Sequence, residues 1–193
     1  MVPGVYTIAA GALKHRRGHA RMLPHAMSIP SPTEGYVDLG GLRIRFLAQG
    51  EGARVVLLVH GLADFAEEWL LTMASLAQRF RVLAVDLPGH GGSDKPRAPY
   101  TPAWYARSIR DFLLSQGVRR ASLVGRSLGG GLCLQTATDY PSLCDRLALL
   151  APAGLGRGLG LWLRFVTLPG IGELALRSSS RKHGDRRPRA LPA

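Results

Sequence analysis

The stretch ASLVGRSLGGG, residues 121–131, is the part of the sequence that most clearly indicates the fold. A short apolar run leads into the motif G-x-S-x-G, and a segment with helical spacing follows the motif directly. Glycines on both sides of Ser127 permit a tight turn from a strand into a helix, and such a turn holds a serine hydroxyl at the edge of a sheet. The motif is short enough to arise by chance, so its position between strand and helix carries the prediction.

The same alternation of strand and helix continues on both sides of this stretch. Short apolar runs rich in β-branched residues are typical of strands buried on both faces, and they occur at residues 54–61, 81–89, 121–127 and 146–154. Segments with helical spacing lie between them, at residues 67–80, 101–116 and 128–140. The pattern predicts an α/β fold with a mostly parallel sheet and helices on both faces. Its site is expected where the parallel strands end, which we call the carboxyl edge.

Two local signals refine this prediction. Residues 36–49 alternate apolar and polar side chains around Gly40 and Gly41, which predicts an antiparallel hairpin ahead of the parallel strands. Thr101 followed by Pro102 is a favourable start for the helix predicted at residues 101–116, and Gly117 is a favourable stop.

The net charge of +12 on 193 residues raises the possibility of a polyanion-binding protein. The basic excess is concentrated in residues 1–35 and 174–193, whereas the middle of the chain is only mildly basic. That distribution is more typical of a folded domain with solvated basic ends, so no specific nucleic-acid partner is expected. We assign residues 1–32 to a disordered or extended segment, residues 33–154 to the folded core and residues 178–193 to a disordered basic tail.

Composition also bears on location and on cofactors. The sequence has no uninterrupted apolar run of the roughly 20 residues that span a bilayer, and its apolar opening precedes its basic residues, the reverse of a secretory signal. Cys133 and Cys144 form no CxxC pair, and we interpret both as small buried hydrophobes. A cytoplasmic protein without metal or cofactor is therefore expected.

Three segments, each at the end of a predicted strand, together carry a family resemblance. They are His60-Gly61, the sequence DLPGHGGS at residues 86–93 and the sequence GRSLG at residues 125–129. In this order they resemble the serine-nucleophile branch of the α/β-hydrolase superfamily, and the resemblance covers residues 36–155. It implies that residues 125–129 are a nucleophile elbow with Ser127 as the nucleophile. The backbone N–H groups of Leu62 and Leu128 would then form the oxyanion hole.

The remaining site residues are expected to shape this arrangement; they are Gly125, Arg126 and Gly129 in the elbow and His60 and Gly61 after the first parallel strand. We interpret His60 as a structural residue, because the general base of this family comes last in the chain. Asp86 lies in a structural turn by the same likeness and is not the expected acid. The charge of Arg126 would bias the site toward anionic substrates, unless its stem packs along the helix with the head in water.

The resemblance implies an attack of Ser127 on a carbonyl and an acyl-enzyme intermediate. An esterase-like or lipase-like hydrolase of an ester, lipid or other acyl bond is the leading prediction, with a small-molecule acyl substrate. Residues 155–177 resemble the beginning of a helical lid, which suggests an apolar substrate. The alternatives are an acyltransferase on the same fold and a non-catalytic fragment that binds a hydrophobic ligand or a partner.

The acid and the histidine that complete the family's triad are unknown and are expected to be missing. They should follow the serine in the chain, yet His183 is the only histidine after Ser127 and lies in the arginine-rich tail. The later acids are Asp139, Asp145, Glu173 and Asp185, and the first two are predicted at the opposite edge of the sheet. We therefore predict a truncated or frame-shifted chain that is nearly inactive alone. Its strand at residues 146–151 would be an open edge prone to self-association.

Overall fold

A computed structural model describes residues 5–8 and 31–154 of the chain. Within these residues one sheet of seven strands has the order β1-β7-β6-β4-β5-β3-β2. The strands are β1 Val5–Ile8, β2 Thr33–Asp38, β3 Arg43–Gln49, β4 Val55–Val59, β5 Arg81–Val85, β6 Ala121–Arg126 and β7 Cys144–Leu150. The helices are α1 Leu70–Leu76, α2 Pro102–Ser115 and α3 Leu128–Asp139, with 3₁₀ turns at Ala66–Trp69 and Pro141–Leu143.

The predicted fold class is confirmed. Strands β4, β5, β6, β7 and β1 pair in parallel, whereas β3 runs in the opposite direction and pairs antiparallel with both β5 and β2. The predicted hairpin joins β2 to β3, with positive φ angles of 73° at Gly40 and 88° at Gly41. A turn that needs positive φ at both central residues favours glycine at both, since glycine has no Cβ to clash.

Alternate residues of each central strand point to opposite faces of the sheet. Both faces are buried, each in its own core. In β4, Leu57 and Val59 pack in the larger core, which also contains residues of α2 and α3. Val56 and Leu58 pack in the smaller core with Trp69 and with residues of α1. The apolar runs of the sequence are continuous for this reason.

Helix α2 has the predicted ends, since the Thr101 side chain accepts a hydrogen bond from the Trp104 N–H at 3.2 Å and Gly117 has a φ of 71°. The helix predicted at residues 67–80 is shorter than expected. It consists of the first 3₁₀ turn and α1, because the chain after α1 approaches the β3–β4 loop closely. A Cβ on Gly50 would lie 2.3 Å from the Phe80 oxygen, so residues 77–80 form a tight turn there.

The prediction that β7 is an open edge strand is wrong. Strand β1 pairs with it in parallel, with Val5 opposite Leu147 and Ile8 opposite Leu150. A run of four residues is too short to stand out in a sequence, so no element was expected before residue 33. The proposed lid at residues 155–177 and the basic tail at 178–193 lie outside the described residues.

The two cysteines are confirmed as buried free thiols, Cys133 in α3 and Cys144 in β7. Burial in apolar surroundings raises the pKa of both thiols, which makes them poor nucleophiles. In the part of the chain that the structure describes, no cluster of His, Cys, Asp or Glu side chains could hold a metal ion. None of the helices described there has the length and apolar character needed to cross a bilayer.

Candidate active site

Ser127 occupies the junction between β6 and α3 in a strained backbone conformation, with φ 50° and ψ −116°. Its N–H donates to the Leu150 carbonyl at 3.0 Å. Its own carbonyl accepts from the N–H groups of Ala153 at 2.8 Å and Gly131 at 3.2 Å. A non-glycine residue in such a region costs about 1–3 kcal/mol and persists only where its surroundings fix it. The hydrogen bonds from β7, the segment after it and α3 provide that constraint.

The glycines of the elbow are required by close backbone approach. A Cβ on Gly125 would lie 2.3 Å from the Gly129 oxygen. A Cβ on Gly129 would lie 2.3 Å from the Val59 oxygen and 2.4 Å from the His60 oxygen. Since no side chain fits at these distances, Gly125 allows the start of α3 to pack against the end of β6, and Gly129 allows it to pack against the end of β4. The elbow is thus held against the loop that follows β4.

That loop, residues 60–65, is called the β4 loop below. A Cβ built on Gly61 would lie 3.4 Å from the Ser127 Cβ and 3.3 Å from Arg126 Nη2. The β4 loop therefore lies beside Ser127. Leu62 is the next residue of the loop, and Leu128 is the first residue of α3.

His60 is fully buried, and both of its ring nitrogens are engaged. Nε2 accepts a hydrogen bond from the Leu87 N–H at 2.9 Å, so the proton resides on Nδ1, which donates to the Gly61 carbonyl at 2.7 Å. Burial disfavours the imidazolium and lowers the pKa of His60 to about 4. The neutral ring joins the β4 loop to the loop after β5 and has no nitrogen free to act as a base, in agreement with the structural role predicted.

Asp86 also has a structural role. Its side chain is fully buried, with Oδ1 accepting from the Ala66 N–H at 2.7 Å and Oδ2 accepting from the Gly92 N–H at 2.8 Å. Arg45 Nη1 donates to the same Oδ2 at 3.0 Å and also contacts Glu67 at 3.1 Å. Sequence reasoning missed Arg45, because nothing local marks a β3 residue whose partners lie 22 and 41 positions away.

Arg126 is paired with two acids, although 43% of its side chain remains exposed. Its Nε donates to Glu68 Oε2 at 2.7 Å, and its Nη2 donates to Asp64 Oδ2 at 2.7 Å. Burial raises the pKa of Glu68, and the hydrogen bond from Arg126 opposes that shift. Sequence analysis missed both acids, which lie 62 and 58 residues before Arg126.

Two other candidates for a triad, Asp139 and Asp145, are not brought to Ser127. Asp139 ends α3, and Asp145 begins β7 beside Arg120, so both lie at the opposite edge of the sheet. Within residues 31–154 the histidines are His60 and His90, and neither ring is hydrogen-bonded to Ser127 there. The remaining candidates are outside the described residues; they are Glu173, His183 and Asp185.

Comparison with known proteins agrees with this geometry. An uncharacterized protein of Mycobacterium tuberculosis is 41% identical over 149 residues, which cover 77% of this chain and 43% of that protein. The dihydrolipoyllysine-residue acetyltransferase component of the acetoin cleaving system of Cupriavidus necator is 38% identical over 63% of this chain and 32% of its own length. The chain thus spans less than half the length of these relatives.

Solved structures have the same fold. The crystal structure of a membrane phospholipase A, a bacterial virulence factor, is 30% identical with a TM-score of 0.67, over 84% of this chain and 55% of that one. A family model of the alpha/beta hydrolase fold matches residues 54–166, which is more than half of the chain and includes both the β4 loop and the elbow. The chain therefore belongs to the α/β-hydrolase fold family.

Proposed function

We propose that this chain carries the nucleophile and the oxyanion hole of a serine hydrolase that acts on an ester, lipid or other acyl bond. The observation that carries the proposal is the strained backbone of Ser127 at the carboxyl edge of the sheet, beside the β4 loop. A protein that used Ser127 only as a turn residue would gain stability from glycine at that position. Strain kept at a partly exposed turn is typical of a functional site.

The chemistry follows from this placement. The hydroxyl oxygen of Ser127 attacks the carbonyl carbon of the substrate and gives its proton to a base, and the carbonyl oxygen becomes an oxyanion. The N–H groups of Leu62 and Leu128 donate hydrogen bonds to that oxyanion, each worth about 3 kcal/mol in the transition state. Collapse expels the alcohol or amine and leaves an acyl-enzyme, which water hydrolyses. His60 is excluded as the base by its two hydrogen bonds.

An acyltransferase is the second candidate, because one relative is named as an acetyltransferase component. Both functions share the acyl-enzyme, and they differ in whether water or another nucleophile accepts the acyl group. The proposal of an apolar substrate comes from residues 155–177, whose sequence resembles the beginning of a helical lid.

A fluorophosphonate reagent tests the shared step. It phosphonylates an activated serine and releases fluoride, and the adduct is located by peptide mass spectrometry. Among the described residues no base is hydrogen-bonded to Ser127, and the oxyanion hole and binding alone should retain about 10³-fold rate enhancement over water. We therefore expect Ser127 in the folded chain to react on the order of 10³ times faster than Ser127 in the urea-unfolded chain.

Two variants control this experiment. Ser127→Ala should abolish the adduct, whereas Ser122→Ala, on the same strand, should leave its rate unchanged. Equal rates for folded and unfolded Ser127 would contradict the proposed function and favour a non-catalytic fragment. If an acyl ester also labels Ser127, transfer to an added thiol in preference to water would favour the acyltransferase.

A further inference from the structure

We propose that Arg126 is a positioning residue that fixes the β4 loop against the nucleophile elbow through its ion pairs with Asp64 and Glu68. The proposal deepens the proposed function and rests on it in one respect, that the β4 loop supplies the Leu62 amide. Neither the family resemblance nor the comparisons assign a role to Asp64 or Glu68, and for Arg126 the sequence predicted only that it shapes the elbow and that its charge bears on the substrate.

The three residues belong to two adjacent strands and the segments that follow them. Val59, at the end of β4, pairs with Gly125 in β6, so the chain leaves both strands side by side at the carboxyl edge. Arg126 ends β6 directly before Ser127. Asp64 lies in the β4 loop itself, and Glu68 lies in the 3₁₀ turn that follows. The ion pairs therefore connect the nucleophile's neighbour to the loop that faces it.

The guanidinium also covers the backbone of the β4 loop. The 3.3 Å between the Cβ position of Gly61 and Arg126 Nη2, and the 3.4 Å to Arg126 Cζ, show that a side chain at residue 61 would contact it. Glycine at this position thus lets the arginine reach across the loop to Asp64. His60, at the start of the same loop, also donates from Nδ1 to the Gly61 carbonyl.

The turn within the β4 loop is weakly bonded and strained. Its turn hydrogen bond, from the Asp64 N–H to the Gly61 carbonyl, is long at 3.4 Å. Ala63 has a φ of 59°, a left-handed conformation that costs about 1–2 kcal/mol for a residue with a Cβ. A strained loop with a weak internal bond needs an external constraint to keep its amides in one place.

The ion pairs are suited to that role. A single exposed pair contributes little, but here one guanidinium binds two acids. Nη2 donates to Asp64, and both Nε and Nη2 contact Glu68, whose side chain is only 13% exposed while that of Arg126 is 43% exposed. The planar fork of arginine fixes direction as well as distance, which lysine cannot do for two acids at once. Removing the arginine would also leave two neighbouring carboxylates without their cation, which would push the loop away from its position.

Hydrogen exchange of the β4 loop tests the positioning directly. In Arg126→Met we expect the amides of residues 61–65 to exchange about tenfold faster, because loss of the clamp lowers the cost of local opening. Arg126→Lys should restore part of the protection. Arg120→Met is the matched control, since Arg120 pairs with Asp145 at the other end of the same strand. It should leave exchange of residues 61–65 unchanged.

Phosphonylation of Ser127 tests the consequence for chemistry. Measured on the folded fraction, the maximal labelling rate should fall about tenfold or more in Arg126→Met, with little change in the concentration for half-maximal rate. Arg126→Lys should recover part of that rate, and Arg120→Met should match the unaltered chain. A purely structural arginine would lower the melting temperature but would not change the labelling rate per folded molecule.

The outcomes separate the two proposals. Unchanged loop exchange in folded Arg126→Met would overturn the positioning role, and faster exchange with an unchanged labelling rate would overturn its link to the chemistry. Faster loop exchange in a chain whose Ser127 is never labelled selectively would refute the proposed function while leaving the clamp intact. If Arg126→Met does not fold, Glu68→Gln removes one of the two ion pairs, and the same criteria apply to it.

Discussion

Replacing Ser127 by glycine and by alanine provides a direct measure of the strain in the elbow. Both changes remove the hydroxyl, so the difference between them reports the backbone alone. At φ 50° and ψ −116° the residue lies in the mirror image of the polyproline region, which glycine adopts freely and alanine does not.

Two opposing contributions set the expected difference in the free energy of unfolding between the two variants. Relief of the strain stabilises the glycine variant by about 1–3 kcal/mol. The greater freedom of glycine in the unfolded chain destabilises it by about 0.5–1 kcal/mol. We therefore expect the free energy of unfolding of Ser127→Gly to exceed that of Ser127→Ala by about 1 kcal/mol.

Urea unfolding followed by tryptophan fluorescence measures this difference, and equal m-values for the two variants would establish that they unfold in the same way. At an unstrained position the sign reverses, because only the entropic cost of glycine remains. A glycine variant less stable than the alanine variant would therefore refute the claim that the elbow holds Ser127 under strain.

Three further predictions follow from the site. Gly129→Ala should cost about 3 kcal/mol or more in urea unfolding, since the new Cβ would press on two backbone carbonyls 2.3 and 2.4 Å away. His60 has a folded pKa of about 4 against 6.5 unfolded, so unfolded chain binds more protons between these values. The free energy of unfolding should fall as pH falls through that window, less steeply in His60→Gln. Because two acids neutralise Arg126, an anionic phosphonate should label Ser127 no faster than a neutral one; faster labelling would show an uncompensated charge.

The sequence predicted those elements whose signals are local. The strands β4 to β7 are visible as apolar runs because both of their faces are buried, and the ends of α2 are visible because Thr101 and Gly117 act within one helical turn. The position of the elbow followed for the same reason, since strand, glycines and helix are contiguous at residues 121–131.

Features that depend on distant partners could not be predicted in this way. Strand β1 exists through pairing with β7, more than 140 residues later in the chain. The environment of Arg126 depends on acids that reach it only after β4 and β6 pair. The sequence around Arg126 allowed either a charge that acts on the substrate or a charge in water. Only the folded chain showed that Arg126 is paired with Asp64 and Glu68.

A crystal structure of the chain with Ser127 phosphonylated would test directly whether the proposed oxyanion hole exists. The phosphoryl oxygen of such an adduct stands in for the oxyanion of the acyl-transfer intermediate. We predict that this oxygen lies roughly 2.7–3.1 Å from the backbone nitrogens of both Leu62 and Leu128. An adduct whose oxygen points to solvent, or contacts neither amide, would contradict it.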